Sequence, residues 1–184
     1  MSTSIGLRPF LTLTLASLAM HFGYLHPAHA FAYLGNGGAT WLLGGLAALE
    51  FAGDKIPVVD HALHVVHFAT KPIAAAVLVG SVLPATGSPG PVTYALMGLG
   101  AANALGIHTG VAAVRGASTA ATLGMANPFV SLVEDVLAVG ATVLAFVFPF
   151  VGALLAFALT LLLLILVART YRALRRGRSS VAMS

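Results

Sequence analysis

The chain has 184 residues, 59% of them hydrophobic and 8% charged, with a net charge of +4 and a mean hydropathy of +0.98. A soluble domain carries roughly 25% charged residues, so these values exclude one and describe an integral membrane protein. The lack of cysteine excludes disulfides, thiolate metal sites and Fe–S clusters together.

At roughly 20 residues a crossing, the length gives about six spans in one all-α domain, a polytopic transmembrane helical bundle. Runs such as 154–167 are apolar but for Thr160 and lack the alternation of a barrel strand. The first span is expected at 7–24. Ala28-His29-Ala30 after it has the form of a signal-peptidase site, but Arg8 alone makes a poor n-region and His21 interrupts the apolar run, so a retained helix is the preferred reading over a cleaved segment 1–30. The second span, 38–53, ends at Glu50 and Asp54. The third, 58–83, contains Pro72; two readings stand, a pair of half-helices (Asp60 to Thr70, then from Pro72) and a simple proline kink. The fourth, 91–114, leads to Arg115 and the Gly-, Ser- and Thr-containing stretch 116–124. Asn127-Pro128 then opens the fifth, 128–147, with a helix-start signal, and 150–168 is the sixth. The tail 169–184 holds Arg169, Arg172, Arg175, Arg176 and Arg178, a juxtamembrane cluster suited to anionic lipid rather than nucleic acid.

Loops 25–37, 84–90 and 148–149 contain no lysine or arginine, whereas Lys55, Arg115 and the tail fall on the other side. The positive-inside bias therefore orients the chain N-in and C-in. Lys71 is the basic residue this partition does not explain.

The five acidic residues fall in two clusters, Glu50, Asp54 and Asp60, then Glu134 and Asp135. An ionised side chain at the bilayer centre costs roughly 2.5 kcal/mol or more, so these positions are the candidate site. Spans two, three and five place all five in the cytoplasmic half. Glu50 and Asp54, four apart, share a helix face; Glu134 and Asp135 point about 100° apart and serve different neighbours. Their functional reading is cation or proton binding. Their structural reading is a buried pair with Lys71, Arg115 or a facing serine, or, for Glu50 and Asp54, boundary anchoring.

Asp60, His64, His67 and Lys71 form one stripe at i, i+4, i+7 and i+11, with His61 about 100° off it. The stripe is read as facing a bundle interior or aqueous cavity, against an amphipathic helix lying in the interface. Carboxylates plus imidazoles suit protons or a divalent metal ion such as Mn²⁺, Fe²⁺ or Zn²⁺, with Asp60, His64, His67 and Glu134 the candidate ligands and no cofactor obligatory. A bis-histidine haem from His64 and His108 is a further arrangement to test. His21, His26 and His29 lie near the outer face and read as solvated.

The string Leu49-Glu50-Phe51-Ala52-Gly53-Asp54-Lys55-Ile56-Pro57-Val58-Val59-Asp60, with His67 and Lys71-Pro72, resembles the signature of a bacterial membrane family catalogued as domain of unknown function 4126. Ala126-Asn127-Pro128-Phe129-Val130-Ser131-Leu132-Val133-Glu134-Asp135 is similar to its second signature, and Gly6-Leu7-Arg8-Pro9-Phe10 to its start. The resemblance implies a small multi-pass protein of the bacterial inner membrane, and it implies no activity.

The expected function is a transporter or channel-like carrier for a cation, a divalent metal or a proton, or for a proton-coupled small solute. Glu50, Asp54, Asp60 and Glu134 bind the ion, His64, His67 and Asp135 support them, and Lys55 and Lys71 balance charge. The expected partners are the bilayer, the cation or solute, and further copies or subunits. A non-catalytic subunit of a larger membrane complex is the alternative, and an intramembrane metal or haem enzyme the third.

Overall fold

Six α-helices and one 3-10 segment are delimited among the described residues, the described positions from 150 onward are helical as well, and no strand occurs among them. The structure is a computed structural model that describes residues 1–83 and 89–148, positions 150–152, 154, 157, 158, 161 and 165, and the backbone alone at 57, 58, 60 and 61. The expected sixth span lies largely, and the arginine tail wholly, outside the described residues.

The expected first span is not one helix. Helix α1 covers Ser2–Leu7, α2 covers Pro9–His21, and Arg8 between them is extended at φ −134°, ψ 94°. The Arg-Pro pair is the cause: the proline ring disfavours helical geometry at the residue before it and suits the first position of a new helix. Asn103 donates to Ser2 and Thr3, and a Cβ on Gly6 would lie 2.6 Å from Ile107 Cβ, so α1 runs beside α5 in the same direction. Phe10 lies on Glu50 and Ser17 on Thr40, so α2 runs antiparallel to α3.

A 3-10 segment, His29–Gly35, leads to α3, Gly37–Gly53, whose start is capped by Asn36 Oδ1 accepting from Gly38 N at 2.9 Å. Helix α4 spans Pro57–Val82 without interruption, which corrects the half-helix reading. Pro72 removes one backbone donor, but the following turn is clamped by its neighbours: Ala74, Ala75 and Leu78 are buried, and a Cβ on Gly100 of α5 would meet Val79 Cγ2 at 2.7 Å. Small residues at this crossing bring the antiparallel α4 and α5 close.

Helix α5, Pro91–Thr122, continues eight residues beyond the expected boundary at 114. Its alanines favour helix, and Thr119 and Thr122 return their hydroxyls to the carbonyls of Arg115 and Ser118 at 2.9 and 2.8 Å, so the polar stretch is absorbed into the last turns. Leu123 and Gly124 at positive φ end it, and α6 follows at Asn127–Val147.

Among the described residues, three helical stretches are long and apolar enough to cross a membrane: Ala62–Val82, Pro91–Thr122 and Asn127–Val147. The surface is apolar, with Val65, Phe68, Ile73, Leu99, Phe129 and Val136 exposed, while much of the interior is polar. That inversion of the soluble pattern fits lipid as the outer solvent. Because α5 runs antiparallel to α4, which α2 follows, α1 and α2 run in opposite senses. The chain thus reverses at Arg8, and the tip of this hairpin enters the polar layer.

Candidate functional site

Arg8 is the hub of the site and is 2% exposed. Its guanidinium pairs with Asp54 Oδ2, meets Asp135 Oδ1 at 2.7 Å, and donates to Ser131 Oγ at 2.8 Å and to the Ser131 carbonyl at 3.2 Å. Asp54 sits at the C-terminal end of α3; Ser131 and Asp135, four residues apart, share one face of α6. One planar fork thereby ties the α1–α2 hairpin to both helices.

Arg115 of α5 makes a second fork. Its Nε and Nη2 donate to the two oxygens of Glu134 at 2.9 and 3.1 Å, and Nη2 lies 3.5 Å from Asp54 Oδ2. Asp54 is therefore shared by two arginines. The adjacent acids Glu134 and Asp135 do serve different partners, Arg115 and Arg8. Lys55 is at the rim, 3.9 Å from Asp135 Oδ2 and 3.7 Å above the Phe51 ring.

Deeper along α4 the chemistry changes from arginine–carboxylate pairs to groups that exchange protons. Glu50, 2% exposed, accepts the Phe10 N–H at 3.2 Å, so its carboxylate caps the start of α2. Its other oxygen faces His67 Nε2 at 3.2 Å. One turn on, Lys71 Nζ lies 3.1 Å from His108 Nδ1. An ammonium can only donate, so His108 accepts at Nδ1. The His108 ring rests on His64 with centroids 4.5 Å apart. That contact leaves no space for a macrocycle between the two rings, which removes the bis-histidine haem arrangement.

Arg8, Asp54, His64, His67, Lys71, His108, Arg115 and Glu134 enclose a cavity of about 10 Å³, room for a single water-sized species. His64, His67 and Lys71 of the sequence stripe all face it. Of the expected site residues, Glu50, Asp54, Glu134 and Asp135 come together in one layer with these three. The side chain of Asp60 lies outside the described residues, as does that of His61; their backbone is in the first turn of α4. Among the candidate metal ligands, Glu134 is taken by Arg115 and His67 faces Glu50. No group of three His, Asp or Glu among the described residues is placed to hold a metal ion.

Arg8 is the position of this charged layer that the sequence analysis passed over as a lone charge near the chain start. The signal was present: a charge inside an apolar run is as costly for arginine as for the acids, and Arg-Pro marked a break there.

A family model described as "Domain of unknown function (DUF4126)" matches residues 1–169, and the chain belongs to that family. No match was found among curated proteins or among solved structures.

Proposed function

We propose that the protein is a small carrier of the bacterial inner membrane that moves protons, or couples a proton to a small solute, and works as a homo-oligomer. The observation that carries this reading is the file of Glu50, His67, Lys71 and His108, all buried, and half-buried His64, with contacts of 3.2 and 3.1 Å and a ring contact of 4.5 Å; all of them but Glu50 border a water-sized cavity. Carboxylate, imidazole and amine side chains in such a file relay protons within membranes, whereas the arginine-paired acids have a fixed charge balance. A divalent metal is less well served, since Asp54, Asp135 and Glu134 are engaged by guanidinium groups.

In this reading the chain crosses about six times, N-in and C-in, with the charged layer in the cytoplasmic half; the lysine- and arginine-free outer loops support that orientation. Helix α1 then starts within the membrane beside Asn103 and runs to the Arg8 turn, from whose cytoplasmic side the first crossing, α2, departs. The test is proton uptake into proteoliposomes driven by a potassium diffusion potential. Glu50→Gln, which keeps the cap on Phe10, lowers the flux on the order of a hundredfold, as loss of a proton-transfer group does. Undiminished flux in folded Glu50→Gln protein sinks the relay.

A second reading, a non-catalytic subunit of a larger complex, draws on an apolar groove of about 1020 Å³ between α1, α5 and α6, lined by Ile107, Val114, Phe129, Val133 and Leu137. Purification from native membranes separates the two: a partner at fixed stoichiometry supports the subunit, a lone oligomer the carrier.

A further inference from the structure

The polar layer borders a second space besides the water-sized cavity. A pocket of about 240 Å³ lies between α2, α3 and α6, and its wall includes Leu11, Ala47 and Phe51 with the charged side chains of Arg8, Glu50 and Asp135. Glu50 lines this pocket and not the cavity, His67 lines the cavity and not the pocket, and the two side chains meet at 3.2 Å. Among the described residues, Arg8 alone lines both spaces. A guanidinium keeps its proton, so it cannot pass one on, and its fixed charge opposes a hydrated cation. Proton movement between pocket and cavity is thereby left to the Glu50–His67 contact.

The polar wall of the pocket asks for water. Among the described residues, Glu50 Oε1, Asp135 Oδ2 and Arg8 Nε are buried without a hydrogen bond of good geometry, and all three belong to residues of this wall. Each has an ionisable neighbour, His67 at 3.2 Å, Lys55 at 3.9 Å and Asp135 Oδ1 at 2.7 Å, which balances charge without completing the hydrogen bonding. A water molecule occupies roughly 30 Å³ in the liquid, so the space holds several and offers them polar partners. Lys55 marks the mouth. Its ammonium lies 3.7 Å above the Phe51 ring and points toward Asp135, and its side chain is 37% exposed, which sets the mouth at the water boundary.

We propose that this pocket is a water-filled port that delivers protons to Glu50, and that the Glu50–His67 contact is the passage from it to the inner cavity. A hydronium ion in the pocket gives its proton to the Glu50 carboxylate and returns to water; Glu50 then protonates His67 at Nε2 and regains its charge. Arg8 and Asp135 keep their charges throughout. The proton's onward course rests on the carrier reading, whereas the water in the pocket does not.

The chain contains no cysteine, so a single introduced thiol reports on its own surroundings. Full-length Ala47→Cys protein in liposomes is treated with a cationic methanethiosulfonate on both sides of the membrane, and the adduct is quantified by mass. Leu49→Cys is the lipid-facing control, since Leu49 is 67% exposed and lies about 200° round α3 from Ala47. Thiolate forms in water and not in hydrocarbon, so Ala47→Cys reacts at least about tenfold faster than Leu49→Cys. Proton flux through the labelled Ala47→Cys protein falls at least about tenfold, because the adduct closes the route to a proton-transfer group. Reaction of Ala47→Cys no faster than the control overturns the proposal and gives the pocket to packing or a lipid chain; so does full flux through the labelled protein. Absence of flux in the wild type removes the carrier reading and the proton's passage with it, while the labelling ratio still decides whether the pocket holds water. If Ala47→Cys does not fold, Ala48→Cys on the same wall takes its place.

Discussion

Replacing Arg8 by glutamine removes the charge that Asp54 and Asp135 share while keeping a polar side chain at the turn. The acids are 3% and 11% exposed at their side chains, so neither regains full hydration when the guanidinium is lost. Breaking a buried pair in this way costs about 3–5 kcal/mol. Arg115 at 3.5 Å from Asp54 and Lys55 at 3.9 Å from Asp135 offset part of the loss, which places the expected cost near the lower end, about 3 kcal/mol. For a chain of this size, 1 kcal/mol shifts the melting temperature by roughly 2–4 °C, so Arg8→Gln lowers it by about 6–12 °C. The assay is thermal unfolding in detergent micelles followed by circular dichroism. The double variant Arg8→Gln with Asp54→Asn removes one of the stranded charges and melts above Arg8→Gln alone. A single variant within about 1 °C of the wild type, or strictly additive losses in the pair, would refute the hub role.

Arg115→Lys keeps the charge but loses the two-point contact with Glu134; it destabilises by about 1–2 kcal/mol, read as a melting shift that Arg115→Gln exceeds. Gly100→Val drives new methyl groups into Val79, already 2.7 Å from an ideal Cβ, and lowers stability by about 1–3 kcal/mol; an unchanged melting temperature would contradict the close α4–α5 crossing. Gly6→Val, against Ile107 at 2.6 Å, displaces α1, and limited proteolysis near residue 8 then cleaves faster than in the wild type.

Much of the architecture was legible because membrane helices announce themselves by composition. Ala62–Val82, Pro91–Thr122 and Asn127–Val147 fall where apolar runs of spanning length stand in the sequence. The first helix pair was misjudged for a physical reason: hydropathy averages over Arg8, whereas the backbone responds to the single Arg-Pro step. Of the two readings open at Pro72 the half-helix one fails, since a proline in a helix clamped by Gly100, Ala75 and Leu78 costs a hydrogen bond without breaking the helix.

The site was half legible. Spacing alone put His64, His67 and Lys71 on one face and separated Glu134 from Asp135. Spacing along one helix is silent, however, about which other helix answers it. That Glu134 meets Arg115, that Asp135 meets Arg8, and that Lys71 meets an imidazole rather than an acid follow from packing between segments 19 to 127 residues apart. The histidines gained in weight accordingly. In the sequence they stood second to the carboxylates, and in the structure three of them border the cavity while the arginines fix the charge of most of the acids.

The most direct test of the central claim is the proton permeability of vesicles holding the purified wild-type chain, measured with an entrapped pH-sensitive dye after an imposed potassium diffusion potential. The account predicts proton entry that scales with the amount of protein and exceeds that of protein-free vesicles of the same lipid. Vesicles with correctly inserted protein that stay as proton-tight as empty ones would contradict it.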